Sequence, residues 1–270
     1  MQEVICTLDL RRSGGRFGED WRRRLSQLLE LVESVCAEHA HARSVEVDYS
    51  YRARAVVARR FFAGRRVPPK DFRGGPYYSY FFGLDAAQHD YVFHLDSDML
   101  FGGGSQTWIS EALDVLQTRP RVLVCSPLPG PPTADGQARQ QTARIEPFSS
   151  LAHGFDHFTS RLFLIDRHEL EALGPFVPVR KFGRREAPAA WLRRTSTYDL
   201  PERLISAAMK GRQRQRFCFL GAAPGVWAVH PDERSTRFYD RLPEIIRRVE
   251  TGDVPEAQRG YYDLQESMLG

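Results

Sequence analysis

Cysteine is scarce in this chain: four in 270 residues, at Cys6, Cys36, Cys125 and Cys218. None forms a CxxC pair, which excludes a zinc ribbon or a dithiol redox motif of that kind. Each sits among apolar neighbours, and the expectation is reduced core thiols in a cytoplasmic protein. Long apolar runs are also missing. None approaches the roughly 20 residues needed to cross a bilayer, although peripheral contact with a membrane stays open. The opening MQEVICTLDLRR lacks a charged-then-apolar signal pattern and reads as a first strand. There is no GxxxxGK[ST] phosphate loop, and no helix-turn-helix, zinc-finger or RNA-recognition pattern, so nucleic acid is not an expected partner. No internal repeat is evident. Neither sign of charge dominates: 38 Lys and Arg face 34 Asp and Glu, for a net charge of +4.

The composition is that of a globular protein, with 42% hydrophobic and 11% aromatic residues. The small basic excess is mostly arginine, clustered at Arg22–Arg24, Arg59–Arg66, Arg180–Arg194 and Lys210–Arg216. Such clusters suit phosphate or anionic sugar, and equally a solvated surface.

EVICTLDL reads as a strand. Trp21, Leu25, Leu28, Leu29, Val32 and Val35 recur at helical spacing, which predicts a helix over 20–39 with Asp20 as its N-cap. SVEVDYS alternates as a second strand ending at Asp48. AVVARRFF fits a strand or a helix. Tyr77 to Ala87 looks helical, its aromatics mostly core, and feeds the strand YVFHLD. Trp108 to Leu116 carries another helical stripe, and RVLVCS is a buried strand. Beyond a proline- and glycine-rich loop, RLFLID, RFCFL and GVWAVH read as strands, and DLPERLISAAMKG as a helix closed by Gly211. Alternating strands and helices predict an α/β fold with a mostly parallel sheet flanked by helices, ligands sitting at the carboxyl ends of the strands. The expected organisation is a first half at 1–126, a second half of the same domain at 127–240, and a partly helical tail at 241–270.

The stretch HDYVFHLDSDMLFGGG carries the chemistry. It runs a strand to its end and places Asp96 and Asp98 there, one residue apart. Where the chain turns, both carboxylates can approach one hard cation. Mg²⁺ and Mn²⁺ want oxygen ligands and share their shell with phosphates, so the pair suits a metal-bound diphosphate. The bland alternative is a turn cap. Gly102, Gly103 and Gly104 would permit a sharp turn and close backbone approach. They make no dinucleotide fingerprint, because Thr107 stands where the third glycine belongs, and the calcium-loop spacing fails at Leu100 and Phe101. His94 reads as structural. His153 and His157 would share a face only on a helix, which Gly154 weakens, and zinc needs further ligands, so LAHGFDHF reads as an acceptor-side loop. Arg234 and Arg237 could grip a diphosphate.

RGGPYYSYFFGLDAAQHDYVFHLDSDMLF resembles the stretch of family-two glycosyltransferases in which a loop and helix precede the DxD motif. The two opening strands, and FTSRLFLIDRHELEALGPF near the acceptor, are similar to that family too. The resemblance runs over roughly residues 3–230 and implies a GT-A (Rossmann-like) fold. It further implies a metal-dependent, inverting transfer of a sugar from a nucleoside diphosphate donor, most simply a UDP-sugar, to a hydroxyl-bearing acceptor such as a carbohydrate.

By the same resemblance Asp48 contacts the nucleotide base, Asp98 is the direct ligand of Mn²⁺ or Mg²⁺, and Asp96 lies nearer the ribose or binds through water. His230, ending GVWAVH, would be a further metal ligand, as a late histidine is in several GT-A enzymes. The family's Glu-Asp pair, which supplies the catalytic base, is not intact here. Asp199 falls near its place, with Glu202 one helical turn on, and an N-cap role for Asp199 competes. Two other readings stay open: a nucleotidyltransferase, and a non-catalytic nucleotide-sugar or carbohydrate-binding protein of the same fold.

Overall fold

The structure is a computed structural model that describes residues 2–12, 21–141, 144–149, 151–232 and 235–269; the side chains at 22, 23, 144–149 and 184 lie outside that description. The elements of the first half are β1 (Val4–Leu8), α1 (Trp21–Glu38), β2 (Ala42–Glu46), α2 (Tyr51–Phe62), α3 (Tyr78–Ala86), β3 (Tyr91–Leu95), β4 (Leu100–Gly103) and α4 (Trp108–Thr118). They continue with β5 (Val122–Pro129), β6 (Arg144–Ser149), β7 (Ala152–Phe155), β8 (Leu162–Asp166), α5 (Arg167–Leu173), α6 (Ala187–Leu192), α7 (Pro201–Gly211), β9 (Gln215–Phe219), β10 (Val226–Val229) and α8 (Thr236–Thr251). The fold is mixed α/β. The expected N-cap Asp20 lies outside the described residues.

The chain divides into two compact units, Met1–Val92 with Leu170–Ala208, and Phe93–Glu169 with Met209–Gly270. In the first, β1 and β2 run parallel, from Val4 opposite Ala42 to Leu8 opposite Glu46. β2 stops at Glu46, so Asp48 lies two residues beyond the strand rather than at its end. The undecided segment AVVARRFF is helical, within α2. Ser50 caps it by accepting the Ala53 N–H at 3.2 Å, and Val57, Ala58, Phe61 and Phe62 turn inward together. Phe61, Phe62, Phe81 and Phe176 form an aromatic core, each at most 2% exposed. Burial of such a ring contributes about 1.5–3 kcal/mol.

The second unit is built on a sheet of order β3-β8-β5-β9-β7-β6, to which β10 adds by pairing with β5 and β4. β5 runs parallel to β9 and β10 but antiparallel to β8, and β7 runs antiparallel to both β6 and β9. The sheet is therefore mixed, and the expected predominance of parallel pairing is not seen in these ladders. The pair β6–β7 is a hairpin, whose short connection requires antiparallel neighbours, while β5–β8 and β7–β9 pair antiparallel across longer connections. Trp108 and Ala112 of α4 pack with Val122, Cys125, Phe217 and Phe219 on the sheet. Phe238, Ile245 and Val249 of α8 pack with Leu128, Trp227 and Val229. Among the described residues no helix is long and apolar enough to cross a membrane.

Candidate functional site

β3 delivers the chain to a tight turn. The Asp96 N–H donates to the Arg161 carbonyl at 2.7 Å, and the Met99 N–H donates back to the Asp96 carbonyl at 3.2 Å. β4 then leaves antiparallel to β10, with Leu100 opposite Val229. That register sets His230, the residue after β10, beside the turn. Its Nε2 lies 3.9 Å from Asp98 Oδ2. The structure thus brings together Asp98 and His230, residues 132 apart in the chain. His230 is buried, and Asp98 Oδ1 is shut off from solvent. Asp96 sits within 3.3 Å of His94 Nε2, and the His94 ring stacks on Phe163.

The other face of His230 meets the C-terminal segment. Its N–H donates to the Tyr262 carbonyl at 2.8 Å, and its carbonyl accepts the Leu264 N–H at 2.9 Å. Between those contacts Asp263 Oδ1 reaches His230 Nδ1 at 3.2 Å. Asp263 is itself held. Its N–H donates to Gln140 Oε1 at 2.8 Å, the Gln140 amide N–H donates to its carboxylate, and Arg161 stands 3.6 Å away. Burial pushes this carboxyl upward, but hydrogen bonds from His230 and Gln140 and the charge of Arg161 outweigh it and hold it below the usual carboxylate range. An ionised carboxylate only accepts. Toward that carboxylate Nδ1 is the donor, which leaves Nε2 as the ring nitrogen on the side of Asp98. A carboxylate behind a histidine is the arrangement that orients metal-ligating imidazoles.

Gly102 and Gly103, after the turn, serve packing. A Cβ on Gly102 would lie 2.0 Å from the Trp227 ring, and one on Gly103 would lie 2.2 Å from the Gly225 carbonyl oxygen. Gly103, at φ 98°, also takes a backbone conformation that L side chains rarely adopt. The first two glycines lie in a strand, not a phosphate turn.

Asp98 and His230 are the pair suited to a divalent cation. One oxygen and one nitrogen donor would leave most of a six-coordinate shell to ligands from outside the chain. Among the described residues no three His, Cys, Asp or Glu side chains gather closely enough to enclose a metal by themselves. A separate groove of about 630 Å³, lined by Glu111, Asp114, Phe217, Phe219 and their neighbours, contains none of these residues.

The remaining expected site residues belong to the first unit. Asp48 is exposed and accepts both the N–H and the hydroxyl of Ser50, at 2.7 and 3.0 Å. Its carbonyl accepts the Tyr78 hydroxyl at 2.9 Å. Asp9, beyond β1, binds the Tyr49 hydroxyl at 3.0 Å and the buried Lys70 ammonium at 2.6 Å. Asp199 is not the N-cap of α7. Leu200 holds that place, its carbonyl accepting the Leu204 N–H at 3.4 Å, while Asp199 Oδ2 pairs with Arg203 at 3.0 Å. Glu202 lies half-buried in the first turn. Arg234 lies outside the described residues.

LAHGFDHF is neither helix nor open loop, since Ala152–Phe155 form β7 and His153 is buried. His157 Nε2 lies 3.1 Å from Nη2 of buried Arg216, which also donates to Gln141 Oε1 at 2.6 Å. Burial and then the Arg216 charge hold His157 below its usual range, against the pull of Asp156. A neutral imidazole that accepts from a guanidinium has spent that nitrogen, which removes the paired-histidine metal arrangement.

Asp263, Gln140, Arg161 and Asp9 escaped the sequence reading. Asp9 had a signal, a carboxylate just past the first strand. Asp263 had only the strand-like GYYDL in an otherwise polar tail. In comparisons with known proteins, no family model matches the chain and no curated protein matches it.

Proposed function

We propose that the chain is a glycosyltransferase of the GT-A type, resembling family-two members, which uses Mn²⁺ or Mg²⁺ to move a sugar from a UDP-sugar to an acceptor hydroxyl with inversion. The observation that supports this most is the meeting of Asp98 and His230 at the β3–β4 turn, with His230 oriented from behind by Asp263. Two donors that need phosphate oxygens to complete a metal shell suit a cation that arrives with a nucleoside diphosphate. When bound, that cation supplies positive charge to the departing diphosphate.

In this reading Asp98 and His230 hold the metal and Asp96 lies toward the ribose. Asp48 accepts a hydrogen bond from the base, and Arg234 binds the diphosphate. Asp199, with Glu202 in reserve, takes the proton of the acceptor hydroxyl as its oxygen bonds to the anomeric carbon and the carbon–diphosphate bond breaks. A cytoplasmic location goes with this reading, in keeping with the four free thiols.

The test is product analysis after incubation with nucleotide sugars, Mn²⁺ and a panel of acceptors. Release of nucleoside diphosphate that depends on metal and acceptor is the expected outcome. Release of pyrophosphate would assign nucleotidyl transfer, and donor binding without turnover would assign a binding protein. A thermal-shift screen of nucleotide sugars with Mn²⁺ identifies the donor, because a ligand selective for the native state raises the melting temperature.

A further inference from the structure

Within the first unit, residues 177–199 make an excursion with its own architecture. Its two arms pair antiparallel: the Asp199 N–H donates to the Val179 carbonyl at 2.9 Å, and the Lys181 and Phe182 N–H groups donate to the Thr197 carbonyl at 2.7 and 3.2 Å. Arg180 lies opposite Tyr198 and stacks on its ring at 4.5 Å. The base of the excursion is tied down by the Ser196 N–H to the Asp71 carbonyl, the Phe72 N–H to the Tyr198 carbonyl, and an edge contact between Phe72 and Phe182. The far end carries α6, which buries none of its residues.

What α6 presents is unusual for a water-facing helix. Trp191 is 80% exposed and Leu192 77%. Val177, Val179 and Phe182 are exposed along the arms. Between 177 and 199 the sequence holds six cationic residues, Arg180, Lys181, Arg184, Arg185, Arg193 and Arg194, against two acids, Glu186 and Asp199, the second already paired with Arg203. Lys181, Arg185, Arg193 and Arg194 form no ion pair with the described residues. Solvent exposure of Trp and Leu forfeits their hydrophobic transfer energy, and like charges this dense repel one another.

Both costs vanish at one kind of surface. An anionic bilayer accepts an aromatic ring at headgroup depth and surrounds it with phosphates for arginine. A protein partner would have to bring a carboxylate matched to each of these cations around an apolar pocket, whereas an anionic bilayer offers apolar depth and phosphates together without a matched site. We propose that the 177–199 excursion docks the protein on an anionic phospholipid surface. Trp191 and Leu192 enter the headgroup region while Lys181, Arg185, Arg193 and Arg194 meet lipid phosphates. Lipid docking here is independent of the chemistry at Asp98.

The experiment is co-sedimentation of the full chain with phosphatidylcholine vesicles, with and without phosphatidylglycerol, at low and high salt. Binding is expected only with phosphatidylglycerol and should fall steeply with salt. Trp191→Ser/Leu192→Ser and Arg193→Glu/Arg194→Glu should each weaken it by about tenfold or more, as loss of apolar insertion or of lipid attraction demands. Both double variants should keep the parent melting temperature, because α6 contributes nothing buried. No sedimentation with phosphatidylglycerol vesicles, or equal binding by parent and variants, overturns the proposal. So does self-association in vesicle-free buffer that Trp191→Ser/Leu192→Ser abolishes while vesicle binding is absent.

Discussion

His230 Nδ1 meets Asp263 Oδ1 at 3.2 Å, and this contact sets what the other nitrogen can do. With Asp263 ionised, Nδ1 is the donor toward it and Nε2 is left as the ring nitrogen on the side of Asp98. Asp263→Asn keeps the shape but not the charge, and its amide can present N–H instead of oxygen. Loss of such a supporting carboxylate typically costs about 10–100-fold in metal affinity. That loss is expected in calorimetric titration of Mn²⁺ into the protein with nucleoside diphosphate present. Affinity unchanged from the parent would remove Asp263 from the site.

Asp98→Asn should go further and abolish metal-dependent binding of nucleoside diphosphate, with the fold intact by circular dichroism. Asp96→Asn should weaken binding less, because Asp96 faces His94 across 3.3 Å while Asp98 faces His230. The reverse ranking of the two variants would exchange their roles.

Much of this site could be read in the sequence. β3 is a clean apolar run, so the position of Asp96 and Asp98 past its end follows from periodicity. GVWAVH places His230 after β10 for the same reason. Their proximity could not be read, because it depends on the pairing of β10 with β4, and β4 was hidden. Leu100–Gly103 ends in glycines that mimic a turn, when the space beside Gly102 is taken by the Trp227 ring and that beside Gly103 by the Gly225 carbonyl. Asp263 joins through a lone bridge opposite His230, too short to leave a periodic trace. α2 was ambiguous because paired valines and phenylalanines favour strands, and only the tertiary burial of Val57, Ala58, Phe61 and Phe62 decides for the helix.

The packing account of Gly102 has a direct consequence. Gly102→Ala forces a methyl group to within 2.0 Å of the buried Trp227 ring, an approach that cannot be kept. Overpacking of this kind costs about 1–3 kcal/mol. Urea denaturation should show the loss, and in a Trp227→Leu background Gly102→Ala should cost less, as coupled neighbours do. An additive double variant would show that Gly102 serves something other than the ring.

Asp9 and Lys70 form the most buried ion pair of the first unit among those described, with side chains 16% and 8% exposed. Asp9→Asn leaves the ammonium with a neutral acceptor and the Tyr49 hydroxyl with a weaker one. Removing one member of a buried pair costs roughly 2–4 kcal/mol when slight exposure is allowed for. The melting temperature should fall accordingly. A variant as stable as the parent would mean that Lys70 reaches water when its partner is lost.

Asp199 carries the sharpest test of the proposed chemistry. Its Oδ2 pairs with Arg203 at 3.0 Å, four residues on, and Arg203 is largely exposed. A pair of that kind contributes about 0.3–0.5 kcal/mol. If that were the whole role of Asp199, Asp199→Asn would lose well under 1 kcal/mol of stability and keep its turnover. Service as the general base predicts the same small loss of stability and donor affinity within a few fold, but transfer slowed by about 10²–10⁴-fold. Arg203→Ala separates the two further, since it removes the same ion pair and leaves the carboxylate in place. It should cost the same few tenths of a kcal/mol as the asparagine variant while retaining transfer. Glu202→Gln, in the first turn of α7, should be mild unless Asp199 proves dispensable. Rates for the three variants, measured at saturating donor and acceptor, decide the assignment. Full transfer by Asp199→Asn would end the case for it as the base.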